Sequence, residues 1–105
     1  MKGFGEILEN ITEIVETYQK GQYRGLNEMH RELACDMYYL TKYQVEFNQK
    51  WNDAYHNFNE LVGKTSAAAK ERHADKEVPQ LYMCRKILEA AKGISISIGY
   101  EIKSD

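Results

Sequence analysis

Proline is nearly missing from this chain: Pro79 stands alone among 105 residues, and glycine fills seven positions. So few breakers exclude a turn-rich β architecture and leave long uninterrupted helices as the available local structure. Cysteine is scarce as well. Cys35 and Cys84 are the two present, with no Cys-x-x-Cys pair, which excludes a disulfide framework and a paired-cysteine zinc site. Both lie among apolar residues in helical patterns and read as reduced, small core side chains in a reducing compartment. No apolar run approaches the ~20 residues of a membrane span. Glu6, Glu9, Glu13 and Glu16 occupy the stretch where a secretory signal would need apolar residues. The expected location is therefore cytoplasmic, with no membrane partner.

Strong charge of one sign is also lacking. Fourteen basic against sixteen acidic side chains leave a net charge of -2, and so no global attraction to nucleic acid or an anionic surface. The distribution is uneven. Residues 1–62 hold six basic and ten acidic groups, whereas residues 64–92 hold seven basic and four acidic. Any polyanion contact is thus expected in the second half. Catalytic wording is missing: there is no Gly-x-Ser-x-Gly, no phosphate-binding glycine loop and no HExxH. Asp53, His56 and Glu60 share a helix face at a spacing that helical bundles use for metal. A di-metal site needs a second such motif, and none follows. They read as solvated polar residues, and neither cofactor nor enzyme activity is expected.

What the chain does have is helical periodicity. Phe4, Ile7, Leu8, Ile11, Ile14, Val15 and Tyr18 mark one face of a helix over about 4–20, with glutamates opposite. Lys20 and Gly21 suit its end. A second helix runs over about 26–62, roughly 55 Å at 1.5 Å per residue. Along it Leu33, Leu40, Phe47, Ala54 and Leu61 recur every seven residues, with Met37, Gln44, Trp51 and Phe58 between them. This is a heptad seam. The first helix spans less than half of it, so the remainder needs the C-terminal segment, other copies of the chain, or both. Gln44 reads either as a register-setting polar residue in the seam or as a solvated side chain. Residues 66–77 predict a short helix capped by Thr65 or Ser66, and Pro79 opens a last helix over 79–103. Residues 94–98 also alternate like a strand, but one strand would have no partner. The expected architecture is all-α, a single domain over 1–105: a long central helix with a heptad seam and shorter N- and C-terminal helices, assembled as a coiled-coil or helical-bundle oligomer. The expected oligomer contacts are Leu33, Met37, Leu40, Gln44, Phe47, Trp51, Phe58 and Leu61.

Two stretches suit single-stranded nucleic acid, whose bases stack on aromatic faces while cations meet the phosphates. Tyr38, Tyr39, Lys42, Tyr43, Lys50, Trp51 and Tyr55 cluster along the second helix, although amphipathic rings also border ordinary helix interfaces and Trp51 lies in the seam; Tyr39, Lys42, Tyr43 and Lys50 are the second-choice contact surface. Lys64, Lys70, Arg72 and Lys76 form a basic stretch with small residues, blunted by Glu71, Asp75 and Glu77. Arg85 and Lys86 support it.

Ala74-Asp75-Lys76-Glu77-Val78, then Tyr82 and Cys84, then the ending Gly99, Tyr100, Ile102 and Lys103 resemble the phage recombination mediator family typified by UvsY. With the aromatic- and lysine-bearing helix upstream, the likeness covers roughly residues 26–103. It implies a helical homo-oligomer that binds single-stranded DNA, contacts a single-strand-binding protein and helps a recombinase load. The chain departs from that family on its long helix, where Lys42 and Lys50 stand among acids, and in its negative net charge. Oligomerisation would multiply a weak basic patch. From another class comes the rival expectation, a small protein-binding inhibitor or adaptor, such as a phage anti-defence factor, that uses the acidic first half.

Overall fold

A helix without proline or glycine from Leu26 to Val62 has no internal reason to stop, and in the computed structural model it does not. The structure describes residues 3–21, 25–62 and 66–104. Among these the chain is all-helical: α1 (Phe4–Gln19), α2 (Leu26–Val62), α3 (Ala67–Glu77) and α4 (Pro79–Ser104). The molecule measures 60 × 27 × 19 Å, so α2 sets its length.

Several helix ends have a local cause. Gly21 takes φ +73 just past α1, and its N–H reaches the Tyr18 carbonyl at 3.0 Å. That left-handed geometry costs glycine little. Ser66 caps α3 by accepting the Ala69 N–H on its hydroxyl at 3.2 Å. Between α3 and α4 the break is a single residue. Val78 leaves helical geometry (φ -130, ψ 67) because Pro79 disfavours the α region for the residue before it.

α3 and α4 hold 11 and 26 residues and together match the 37 of α2. They return antiparallel along it. A side chain at Gly99 would meet His30, Trp51 pairs with Asp75, and Phe58 stacks on His73, so numbers rise on one arm as they fall on the other. α1 lies in the trough between α2 and α4. Phe4 at its start packs edge-on against Phe47, 5.0 Å between centroids, and at its end the Tyr18 hydroxyl donates to Glu101 at 2.9 Å. The result is a three-helix half, where α1, α4 and the first part of α2 meet, and a distal hairpin of α3 and the last part of α2.

The core lies in the three-helix half. Ile7, Ile11, Met29, Leu33, Leu40, Cys84, Ala91 and Ile98 are closed to solvent or nearly so. Residues 94–98 are helical. Ile98 is buried while Ile96 is 60% exposed, a helical burial pattern that the alternating letters concealed. Two expectations need correction. Leu33 and Leu40 leave no surface for another copy, and Phe47 leaves little, because the chain's own α1 and α4 cover them. The return arm is as long as the central helix, so the seam is shielded from within. Met37 and Trp51 are half-buried against the same core, Gln44 and Phe58 are half-buried, and the side chain of Leu61 lies outside the described residues. Cys35 is exposed, on the outward face of α2, and only Cys84 is a core thiol.

Candidate nucleic-acid interface

α3 reads Ala-Ala-Ala-Lys-Glu-Arg-His-Ala-Asp-Lys-Glu and has no large apolar side chain to bury. Two helices meeting alone can each hide one stripe, and here Ala74 and Val78 are the fully covered members. The rings opposite them therefore stay half in water: Trp51, Tyr55, Phe58 and His73 are all half-buried.

These rings are ordered by one another. Trp51 stacks on Tyr55 at 5.3 Å with 21° between planes, and Phe58 stacks on His73 at 4.5 Å and 19°. The Trp51 indole N–H donates to Asp75 at 2.9 Å, joining the two arms. The Lys70 ammonium lies 5.4 Å over the Tyr55 ring, a cation–π distance. Arg72 and Lys76 are one turn apart on the exposed side of α3. Asp53, Glu71, Asp75 and Glu77 outnumber Lys70, Arg72 and Lys76 on this hairpin, and Asp75 is occupied by the indole.

The other expected contact residues are spread out. Lys64 lies outside the described residues. Lys50 sits 5.6 Å over the Phe47 ring at the near end of the hairpin. Lys42 stands over Tyr38 at 4.7 Å on the outer face of α2. Arg85 and Lys86 are exposed on α4, in the three-helix half, with Lys86 over Tyr82 at 5.5 Å. Tyr39 and Tyr43 are packed on the core, Tyr43 beside Phe4 and Phe47, so their faces are used in folding. Tyr38 is the exposed ring of that cluster, at 59%. Spacing separates them: Tyr43 lies between Leu40 and Phe47 at three- and four-residue steps, hence on the buried stripe, and Tyr38 does not. The alignment of His73 and Asp75 with the rings of α2 had no signal in the sequence, because it depends on the register of the return arm.

Among the described residues no cluster of His, Cys, Asp or Glu is placed to hold a metal ion. His56 is exposed, its ring edge-on to Tyr55, and Asp53 accepts from Gln49. Burial pushes the Cys84 thiol up to about 11, which keeps it protonated and unreactive near neutral pH. What the hairpin offers is ring faces beside cations, the chemistry of reversible binding. No helix is long and apolar enough to cross a membrane among the described residues. Comparison with protein-family models, with curated proteins and with solved structures finds no match for this chain.

Proposed function

We propose that this protein is a non-catalytic accessory of DNA recombination that binds single-stranded DNA on its distal hairpin. One observation carries the reading. The partly exposed Trp51–Tyr55 stack has Lys70 against it, and Arg72 and Lys76 stand on the adjoining face. Bases stack on such rings whatever their sequence, and lysine and arginine meet the phosphates that follow. The likeness of residues 26–103 to the UvsY-like mediators supports it and adds a homo-oligomer, a single-strand-binding protein and a recombinase as partners. A single hairpin without net positive charge binds a polyanion weakly, and gathering copies multiplies the contact. Among the described residues α2 offers Tyr38 and Val45 as large exposed apolar side chains for such assembly, the latter 67% exposed.

Fluorescence anisotropy of a labelled single-stranded oligonucleotide tests this. Affinity should fall steeply with salt as counterions are released. Arg72→Glu with Lys76→Glu should weaken binding about tenfold or more for every sequence alike. Trp51, the one tryptophan, should lose fluorescence when bases stack on it. Unchanged affinity in the double variant removes the hairpin as the site. No binding even at low salt removes the nucleic-acid reading and leaves the protein-binding rival.

A further inference from the structure

An open groove of about 550 Å³ runs between α1 and α4. Leu8, Tyr82, Met83 and Ile87 give it an apolar lining. Tyr82 is 65% exposed and Met83 45%, large apolar side chains standing in water. A second hollow of about 210 Å³ continues along the same two helices past Val15 to Ala90, and both hollows share Thr12, Glu16 and Ile87. From Leu8 to Gln19 the trough is roughly 17 Å long, three turns of helix.

Its two rims differ. α1 carries no lysine or arginine, and Glu9 and Glu16 stand exposed along the groove. The cation on the α4 side, Lys86, is held over the Tyr82 ring. We propose that this groove docks a basic amphipathic helix of a partner protein, its apolar anchors on Tyr82, Met83 and Ile87 and its lysines or arginines along the α1 glutamates. A groove of this length takes anchors one turn apart, and methionine adapts to their shape. Carboxylates on the rim select cations and repel a polyanion. A second copy of the chain does not supply the ligand. α1 is acidic, α3 carries as many acids as cations and has no large apolar anchor, and α4, the basic helix, buries Leu81, Leu88 and Ile98 in its own core.

The site is independent of the nucleic-acid reading, since it uses the opposite half of the molecule. The probe is a synthetic helical peptide of about four turns with leucine on one face and lysine on the other, followed by amide shifts of the full chain. Shifts should appear at Leu8, Thr12, Met83 and Ile87, and salt should weaken binding. Glu9→Lys with Glu16→Lys, both at exposed positions, should raise Kd about tenfold. Arg72→Glu with Lys76→Glu should leave the peptide affinity unchanged, so that failure of DNA binding and failure of the groove are told apart. Equal affinity for a peptide with glutamate in place of lysine overturns the proposal. So do shifts confined to α2 and α3, or no shift at any peptide concentration. Concentration-dependent shifts at the same residues without peptide assign the groove to self-association instead.

Discussion

α2 passes through two environments, and the contrast between them is the most informative feature of the molecule. Over its first part α1 and α4 flank it, and Met29, Leu33 and Leu40 lose nearly all contact with water. Over its last part α3 alone accompanies it, and Trp51, Tyr55 and Phe58 stay partly exposed. The same kind of side chain is core in one half and surface in the other because a third layer is present or missing. Stability should therefore reside in the three-helix half, and the hairpin should open at lower free energy.

The largest effect expected is from cavity formation in the thick half. Leu40→Ala should cost about 2–5 kcal/mol, read from urea denaturation followed by far-UV circular dichroism. Phe58→Ala, half-buried on His73, should cost clearly less, and equal losses would erase the distinction between the halves. Next comes thiol protection. In the native protein Cys35 should alkylate readily while Cys84 stays protected, and Cys84 should be modified only as the three-helix half unfolds. The same thiol gives a pH signature. Between pH 9.0 and about 11 the unfolded chain releases its proton while the folded chain keeps it. The contribution of this thiol to stability is therefore complete below pH 9.0 and declines as pH rises through that window. In Cys84→Ala this decline should be missing from the stability–pH profile. A smaller effect, about 1 kcal/mol, is expected from Ser66→Ala, which removes the α3 cap. Hydrogen exchange should localise it to α3, and acceleration spread over α1 and α4 would mean that the halves unfold as one. Smallest is Trp51→Phe, which keeps the ring and loses the bond to Asp75. The bond is exposed, so the loss should be about 0.5 kcal/mol, and exchange should speed up in the hairpin more than in the core.

Most of the fold was legible. Phe4–Gln19, Leu26–Val62 and Ala67–Glu77 follow the apolar spacing and the breakers within a residue of the expected bounds, and Pro79 opens α4 as its fixed φ suggests. These are local properties, written in three- and four-residue steps. What covers the heptad stripe was not legible. Leu33 and Leu40 look alike whether a second copy or the chain's own α4 lies on them, because an apolar face states only that it must be covered. Cys35 was misread for a related reason. Its apolar neighbours in sequence lie on other sides of the helix. The candidate sites divide in the same way. Lys70, Arg72 and Lys76 stood out as cations beside small residues, whereas the rings expected to stack were Tyr39 and Tyr43, Trp51 was expected in the seam, and Tyr55 had no assigned role. That Lys70 lies over Tyr55 and Asp75 under the indole follows from the register between two arms about twenty residues apart, to which no short-range rule applies. The groove beside Tyr82 and Met83 had no sequence signal, since two helices form it together.

By itself the sequence determined the four helices, their ends and the acidic character of α1, because torsional preference, capping and charge act within a few residues. The tertiary structure decided which apolar stripes are closed from within, which rings remain in water, and where α1 and α4 leave a trough between them. Those outcomes depend on the length and register of the return arm, and solvent exclusion is fixed only when distant segments meet.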